Sequence, residues 1–480
     1  MNEPLRPGMR VHIMGIGGAG MSAIARVMHG QGYRVSGCDS SHSELVAPLE
    51  ALGIPVQIGH DPAHLAEFTP DALAISSAIP DDNAELRAAQ AVGIPVYKRR
   101  DILGALMAGR TGIAVAGTHG KTTTTSMIAH VLAECGLDPG YIVGGVLADS
   151  GTNAQAGTGA PFVIEADEYD RMFMGLRPRI TVLTTLELDH PDQFADMQAV
   201  RALFNEFVAL LPPDGLLIAG DDNGETRAIA QARQAAGLPA LTYGTGDLTW
   251  GLTGWQAHHI EASAGGGMRF TADRITTLDD AELEIDSWDG TIALPGAHNV
   301  VNGLAALAVA GALGVEIERA LAALASFHGV GRRFEVKGTA GGVTVIDDYA
   351  HHPTAIRVTL DAARDRYGSR PVWAVWQPHT FNRTRQLLDE FAACFTRADH
   401  VIIADVYRSR DREDYGVSPQ SVLERMAHPD ARHIGPLDAI TEYLAEHVEP
   451  DAVVIVMSAG DATRVCTDLL HRLQDVKRAD

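Results

Sequence analysis

A glycine-rich loop that ends in lysine and three threonines is the segment of this chain best suited to binding phosphate. It reads Gly117-Thr118-His119-Gly120-Lys121-Thr122-Thr123-Thr124 and lies between a predicted strand, 112–116, and a helix that runs through Glu134. In such loops the glycines let backbone N–H groups surround phosphate oxygens, the lysine reaches the β- and γ-phosphates, and the next hydroxyl binds Mg²⁺. Val115 occupies the place of the first glycine of the standard pattern. The sequence therefore predicts a variant ATP-binding loop.

Two acidic segments follow later strands of the same part of the chain. Glu165-Ala166-Asp167-Glu168 and Leu188-Asp189-His190 each come directly after a predicted strand. Open α/β sheets bind ligands at the carboxyl ends of their strands, and Mg²⁺ prefers carboxylate oxygens. Glu165 and His190 are therefore candidates for a metal position, with Thr122 from the phosphate loop. The residues alone leave an alternative open, in which the acids cap helices and His190 is an ordinary loop residue.

A second glycine turn lies near the N-terminus. Gly15-Ile16-Gly17-Gly18-Ala19-Gly20 follows a predicted strand at 10–14 and precedes a helix, and Asp39 comes about twenty residues later. This arrangement can bind a pyrophosphate at the helix N-terminus and a ribose hydroxyl on the acid. Any nucleoside diphosphate offers those groups, so NAD is not required. A purely structural turn is the alternative.

Three polar clusters occupy the C-terminal part. Arg332-Arg333-Phe334 precedes Asp347-Asp348-Tyr349-Ala350-His351-His352-Pro353, and Gln377-Pro378-His379-Thr380-Phe381-Asn382-Arg383-Thr384 follows a later strand. Arginine can clamp a carboxylate or phosphate with two parallel hydrogen bonds, so the clusters suggest a substrate-binding face. Helix capping around Pro353 and solvated arginines are the alternative.

Short apolar runs that alternate with helical patterns predict an α/β protein with parallel sheets. We divide the chain into 1–108, 109–331 and 332–480. The middle part contains a β-rich stretch at 244–290 and a small-residue helix at about 302–313. The third part again suggests a doubly wound sheet.

Composition excludes several classes of protein. The 480 residues include 38 Lys and Arg against 61 Asp and Glu, a net charge of −23, so there is no general attraction for nucleic acid or an anionic membrane. The four cysteines lie far apart without a CxxC pair, which argues against a cysteine-based zinc site or disulfide framework and fits a reducing cytoplasm. The chain has no apolar run long enough to span a bilayer and no signal-peptide core, so we expect a cytoplasmic protein. The oligomeric state stays open between monomer and homodimer.

Together, the motifs resemble the Mur ligases of peptidoglycan synthesis. The resemblance rests on GTHGKTTT, the H-N-x-x-N of His298, GVGRRFEVKG and DDYAHHP, in order over nearly the whole chain. It implies a Rossmann-like UDP-sugar domain, a central P-loop ATPase domain and a Rossmann-like amino-acid domain. GIGGAGMS and QPHTFNRT are most similar to the members that join L-alanine to UDP-N-acetylmuramate with ATP. Tyr169 in ADEYD and Thr380 in QPHTF depart from the common pattern, and ADEYD is also similar to members that attach a murein tripeptide to the same sugar.

The resemblance also implies roles for individual residues. Its metal ligands, for Mg²⁺, are Thr122, Glu165 and His190. Its ATP-binding residues are the phosphate loop with His298, Asn299, Asn302, Arg332, Arg333 and Asp347. Its UDP-sugar residues are Gly17, Gly18, Ala19, Asp39, Ser77 and His119. Its amino-acid-binding residues are Tyr349, His379 and Arg383.

The expected chemistry is amide formation through an acyl phosphate, because a carboxylate does not react with an amine at neutral pH. Lys121 and Mg²⁺ on Thr122 and Glu165 would offset charge on the transferring phosphoryl group, and a second Mg²⁺ near Glu165 and His190 would hold the acceptor carboxylate. Either His190 or His352 would accept the amine proton. Two other classes compete. A nicotinamide-dependent dehydrogenase would explain only the first glycine turn, and a regulatory nucleotide-hydrolysing module would explain only the phosphate loop.

Overall fold

Short runs of buried aliphatic residues form the strands of three separate sheets. The computed structural model describes residues 4–190, 193–246, 253–277, 283–409 and 411–479. The sheet changes in the connections between Leu106 and Thr111 and between Ala325 and Glu335. The predicted domain limits at 108 and 331 lie in these connections and stay predictions.

The first sheet is parallel throughout, with strand order β3-β2-β1-β4-β5. Its strands are β1 Arg10–Met14, β2 Arg34–Asp39, β3 Val56–Ile58, β4 Ala72–Ile75 and β5 Val96–Lys98. Its helices are α1 Ala19–Gly30, α2 Val46–Glu50, α3 Ala63–Phe68, α4 Ala84–Ala91 and α5 Arg99–Leu106. Helices cover both faces, so a central strand such as β4 reads as a continuous apolar run, ALAI.

The second sheet has the order β15-β14-β13-β12-β11-β10-β6-β9-β7-β8. Its strands are β6 Thr111–Ala116, β7 Gly140–Ile142, β8 Ala154–Gln155, β9 Pro161–Glu165, β10 Ile180–Leu183, β11 Leu216–Gly220, β12 Ala240–Gly244, β13 Gly254–Ala262, β14 Met268–Thr277 and β15 Leu283–Ile292. Its helices are α6 Lys121–Glu134, α7 Met197–Val208, α8 Gly224–Ala235, α9 Ala297–Ala312 and α10 Ile317–Ala325, with a 3₁₀ segment at Tyr169–Gly175. The strands from β12 to β7 are parallel, and β13, β14 and β15 form an antiparallel meander.

That meander is the predicted β-rich stretch, although 247–252 and 278–282 lie outside the described residues. One prediction in this region was wrong by several residues. The helix α9 starts at Ala297 and not near 302, because Gly296 adopts φ +87° and lets the chain turn directly into the helix. The H-N-x-x-N motif therefore lies in the first turns of a helix.

The third sheet has the order β16-β17-β21-β18-β19-β20, with only β16 antiparallel to its neighbour. Its strands are β16 Glu335–Ala340, β17 Val343–Asp348, β18 Val372–Trp376, β19 His400–Ile403, β20 Ala431–His433 and β21 Val453–Met457. Its helices are α11 Pro353–Tyr367, α12 Phe381–Gln386, α13 Leu388–Ala393, α14 Pro419–Leu423, α15 Leu437–His447 and α16 Arg464–Ala479. Within the described ranges, the helices include none that is both long and apolar enough to cross a bilayer.

Candidate active site

The phosphate loop connects β6 to α6 and is held against the segment that follows β10. Gly117 has φ +135°, and a Cβ there would collide with the Thr184 hydroxyl. The Thr184 hydroxyl donates to the carbonyl of His119 over 2.5 Å, and the backbone N–H of Thr118 donates to the carbonyl of Thr185 over 2.6 Å. Val115 stands where the standard loop pattern has its first glycine, and it is fully buried within β6. The loop is therefore fixed by its neighbours at the edge of the sheet.

Lys121 at the start of α6 is paired with an acidic residue that follows β9, the strand beside β6. Its Nζ donates to Glu168 Oε1 over 2.9 Å and to the carbonyl of Gly117 over 2.5 Å. Burial opposes the charged ammonium, but Glu168 and the neighbouring acids outweigh burial and raise the pKa of Lys121. Burial also raises the pKa of the Glu168 carboxyl to about 7, even with Lys121 beside it. The lysine is thus positioned and charged, while its partner can exchange a proton near neutral pH.

Thr122 and Glu165 meet at the mouth of the loop. The Thr122 hydroxyl donates to Glu165 Oε1 over 3.0 Å and accepts from Arg333 Nη2 over 3.1 Å. The other carboxylate oxygen of Glu165 accepts the backbone N–H of Gly144 over 2.7 Å. A hydroxyl and a carboxylate side by side are the oxygen donors that Mg²⁺ prefers, so this pair fits the ion that accompanies ATP.

His190 lies in the loop that follows β10, the strand beside β6, and its backbone is in the left-handed region at φ +53°. Its Nε2 is 3.8 Å from Glu168 Oε1, and its Nδ1 is buried without a hydrogen-bond partner in the described structure. Burial lowers the pKa of His190, so its imidazole is neutral at pH 7. The ring lies 5.4 Å from that of Tyr169, the tyrosine of the ADEYD segment.

Glu187 joins the phosphate loop to the third domain. One of its carboxylate oxygens accepts from Thr354 over 2.8 Å and lies 3.3 Å from His119 Nε2 and 3.8 Å from His352 Nδ1. Burial acts to raise the pKa of Glu187, but the hydrogen bond and charge of His119 and the contact from Thr354 prevail and hold it at about 2. Glu187 is therefore an anionic link between the two domains.

His352 caps α11 from the same cluster. Its Nδ1 accepts the backbone N–H of Thr354 over 3.3 Å, and its buried Nε2 has no hydrogen-bond partner in the part of the chain that the structure describes. Burial, followed by the nearby His119, lowers the pKa of His352 to about 4. Because Nδ1 accepts, the neutral ring carries its hydrogen on Nε2.

Replacing His352 with asparagine is expected to make folding less sensitive to acid. The unfolded-state pKa of histidine is about 6.5, above the folded-state value, so the unfolded chain binds more protons between the two. With His352 present, the free energy of unfolding therefore falls as the pH drops from about 6.5 to about 4, by up to about 1.4 kcal/mol per pH unit. Asparagine can still cap α11 but does not titrate.

The test compares urea unfolding midpoints of wild type and His352→Asn from about pH 8 down to about pH 5. The exposed His42→Asn serves as the control. A slope that is the same in His352→Asn and wild type would contradict the argument.

A buried ion pair makes a second link between the domains. Arg383 on α12 donates through Nε to Asp189 Oδ1 over 2.9 Å, and its Nη2 lies 2.8 Å from the same oxygen. Its Nη1 lies 3.2 Å from His379 Nδ1. Asp189 follows β10 in the central domain, and both charged side chains are less than a tenth exposed. Against burial, Arg383 holds the pKa of Asp189 well below its usual range. The arginine predicted to face the amino acid is thus already engaged by a carboxylate of this chain.

Two asparagines of α9 pack against the phosphate loop and the start of α6. Asn302 accepts from the Thr124 hydroxyl over 3.1 Å and donates to Asn299, which donates to the carbonyl of Pro295 over 2.7 Å. A Cβ at Gly120 would lie 2.9 Å from Asn302 Oδ1. His298 lines the adjoining cavity, and burial lowers its pKa to about 4.

The two consecutive arginines of the third domain diverge. Arg333 reaches Thr122, whereas Arg332 donates to the carbonyl of Ser458 over 2.6 Å and lies 3.5 Å from Asp347. Arg332 has φ +60°, which turns the two side chains apart. Both guanidinium groups lie about 5 Å from the ring centre of Tyr349. The roles predicted for Arg332 and Asp347 at ATP stay predictions, with Arg333 the nearer of the two arginines to the phosphate loop.

The first glycine turn lies in a different domain. The backbone N–H of Gly17 donates to Asp39 over 2.9 Å, next to Gly18 and Ala19, and Ser77 is exposed after β4. Arg99 at the start of α5 approaches this turn, since a Cβ at Gly20 would lie 2.7 Å from Arg99 Cζ. Buried Nε of Arg99 has no hydrogen-bond partner among the described residues. Sequence analysis did not identify this cation.

One cavity of about 590 Å³ brings the central and third domains together. It is lined by many of the predicted site residues, namely Thr118, His119, Gly120, Lys121, Thr122, Thr123, Glu165, His190, His298, Asn299, Asn302, Tyr349 and His352. It is also lined by Glu187, Asp189 and Arg333. Glu187 and Asp189 had no role assigned from the sequence, although both stand in the Leu-Glu-Leu-Asp-His run after β10 and a polar run at that position could have indicated them.

Comparison with known proteins places this site in a family. Three protein-family models match this chain in order. They are "Mur ligase family, catalytic domain" at 10–111, "Mur ligase middle domain" at 115–310, and "Mur ligase, glutamate ligase domain" at 332–460. A UDP-N-acetylmuramate–L-alanine ligase of Thermobifida fusca (strain YX) is 41% identical, covering 97% of this chain and 96% of that protein. The chain belongs to the Mur ligase family. The resemblance inferred from the motifs is therefore confirmed.

Two solved structures place the fold of this Mur ligase. A UDP-N-acetylmuramate-alanine ligase from Thermotoga maritima gives a TM-score of 0.77 at 27% identity, covering 98% of this chain and all of that one. A murein peptide ligase from Psychrobacter arcticus 273-4 gives a TM-score of 0.69 at 28% identity, and the match covers 98% of this chain and 99% of that one. The predicted three-domain α/β fold is confirmed.

Proposed function

We propose that this Mur ligase joins L-alanine to the lactyl carboxylate of UDP-N-acetylmuramate, with ATP cleaved to ADP and phosphate. The observation that carries the proposal is the shared cavity, in which the phosphate loop faces the His351-His352 end of the third domain. The relative from Thermobifida fusca, similar over nearly its whole length, is named for this reaction. A ligase needs this arrangement, because the phosphoryl donor and the amine must reach one carboxylate in turn.

In the proposed reaction the γ-phosphoryl group passes in line to the sugar-linked carboxylate, which gives an acyl phosphate. Lys121 offsets charge on the transferring group. Thr122 and Glu165 would hold the Mg²⁺ that accompanies ATP and neutralises phosphate charge when bound. Arg333 supplies a second cation from the third domain. The UDP group is proposed to bind at Gly17, Gly18, Ala19, Asp39 and Ser77, with Arg99 facing its diphosphate.

The amine of alanine then attacks the acyl phosphate, phosphate leaves, and the amine loses a proton. The neutral ring of His352 carries its hydrogen on Nε2, so this nitrogen can donate a hydrogen bond to the acyl oxygen. His190 is kept neutral by burial, and a neutral ring is required whether it accepts the amine proton or completes the metal set. Tyr349, His379 and Arg383 are proposed to form the alanine pocket, with Arg383 shared with Asp189.

The choice between L-alanine and a murein tripeptide gives a direct prediction. Phosphate release with MgATP and UDP-N-acetylmuramate should depend on L-alanine and should yield the amide, detected by mass. The tripeptide is the second candidate because of Tyr169 and the likeness to the murein peptide ligase, and it should give only background release. Release driven by the tripeptide alone would assign the chain to the other branch. Release without any amine would indicate a nucleotide-hydrolysing module.

A further inference from the structure

A buried cluster of metal-binding side chains lies in the first domain, away from the cavity described above. It comprises His12 on β1, Cys38 on β2, His64 on α3 and Glu85 on α4. One ligand atom from each lies within 4.8 Å of every other. His12, Cys38 and Glu85 are fully buried, and His64 is 8% exposed. We propose that these four residues bind one Zn²⁺ ion.

The spacing of the donors fits a tetrahedral ion. Zn–N bonds of about 2.0–2.1 Å and Zn–S bonds of about 2.3 Å place neighbouring ligand atoms roughly 3.3–3.6 Å apart. Glu85 Oε1 is 3.0 Å from His12 Nε2 and 3.2 Å from His64 Nδ1, and Glu85 Oε2 is 3.4 Å from Cys38 Sγ. His12, Cys38 and His64 therefore converge on the Glu85 carboxylate, and one ligand atom from each of the four residues lies within 4.8 Å of the others.

The contact between His12 and Glu85 is at ion-pair distance without hydrogen-bond geometry. His12 Nε2 is buried and lies 3.0 Å from Glu85 Oε1, yet it meets the geometry of no hydrogen bond among the described residues. The other ring nitrogen of His12 is 2.9 Å from the Ser36 hydroxyl. A metal-binding histidine characteristically has its second nitrogen held in this way while the first points at the ion.

Charge balance favours the divalent ion in this buried position. Binding converts the Cys38 thiol to a thiolate with release of one proton, so one thiolate, one carboxylate and two neutral imidazoles balance Zn²⁺. A neutral site avoids the cost of an uncompensated buried charge. His60 Nδ1, 3.2 Å from Cys38 Sγ, can donate to the thiolate. The mixed nitrogen, sulfur and oxygen set suits zinc, whereas Mg²⁺ prefers oxygen ligands alone.

The site lies directly beneath the first glycine turn. The carbonyl of Cys38 accepts from the backbone N–H groups of Gly15 and Ile16, at 2.8 and 3.2 Å, and the next residue, Asp39, accepts from Gly17. A closed four-ligand zinc site is structural. The ion would therefore stiffen the turn to which we assign the UDP group.

The test measures metal content on the full chain. After dialysis with ZnSO₄ and removal of loose metal, wild type should retain one more equivalent of zinc than Cys38→Ser. Cys135→Ser, which removes another buried free cysteine, should match wild type. The His119, Glu187 and His352 cluster contains no thiolate, so Co²⁺ substitution separates the two: a thiolate-to-cobalt charge-transfer band should appear in wild type and Cys135→Ser only.

His64→Asn provides a second variant that leaves the thiol in place, and it should also lose the extra equivalent. Wild type without bound zinc, or equal zinc in wild type and Cys38→Ser, would overturn the proposal. So would a cobalt spectrum that lacks the thiolate band. These readouts do not use ligation activity, so they are independent of the proposed reaction.

Discussion

Replacing Lys121 with methionine is expected to lower the rate of L-alanine-dependent phosphate release by about 1,000-fold. The ammonium group lies in the phosphate loop and is held by Glu168 and the carbonyl of Gly117, so its charge has a fixed position there. Its loss removes charge compensation that is needed most in the transition state. We therefore expect the effect in kcat more than in KM for the amino acid.

Stability must be separated from rate in this experiment. Lys121→Met leaves Glu168 buried without its cation, but a carboxyl whose pKa is already about 7 can take up a proton. The double variant Lys121→Met with Glu168→Gln removes the charge problem and should fold like wild type while remaining inactive. Lys98→Ala, an exposed lysine, serves as the control. Near-normal turnover in the double variant would refute the assignment of Lys121.

Arg383→Ala is expected to weaken the interaction free energy between the central and third domains by about 3–5 kcal/mol. The substitution leaves Asp189 charged and buried, and the cost of that unpaired charge exceeds the net value of the ion pair. The pKa of Asp189 is depressed in the folded state. The stabilisation is therefore present above the unfolded-state value of about 3.9 and is lost as the pH falls through the lower folded-state pKa.

An exposed ion pair within the third domain, the domain of Arg383, supplies the control. Arg425 and Asp389 are 2.7 Å apart but more than half exposed, so Arg425→Ala should cost no more than about 1 kcal/mol. Replacing Arg383 with methionine and Asp189 with leucine together should restore much of the thermal stability but not ligation. Equal melting temperatures for Arg383→Ala and Arg425→Ala would contradict the expected role of burial.

Strands and phosphate-binding turns were predictable because each depends on neighbours in sequence. The strands at 10–14 and 372–376 were placed at the observed residues, since continuous apolar runs fix a strand covered on both faces. The start of α9 was not, because it depends on the positive φ of Gly296. Local pattern therefore determined the sheets better than it determined where a helix begins.

Contacts between distant segments were harder to predict. Arg332 and Arg333 are adjacent in sequence, and only the backbone turn at Arg332 shows which one reaches Thr122. With no CxxC pair, the spacing of the cysteines did not indicate that the fold brings Cys38 next to His12 and Glu85. Such groupings depend on how strands order themselves in a sheet, which spacing along the chain does not encode.

The links between the central and third domains have a thermodynamic consequence. Arg333 binds Thr122, Thr354 binds Glu187 and Arg383 binds Asp189, so the partners in the central domain are residues beside the phosphate loop. With the roles proposed above, a change in how those residues hold the nucleotide is expected to shift the position of the domain proposed to carry the amino-acid pocket. Since such coupling is reciprocal, the amino acid would change the affinity for the nucleotide by the same factor as the nucleotide changes the affinity for the amino acid. Each substrate would thus be an effector for the other, and affinities measured separately would differ from those in the working complex by that coupling factor.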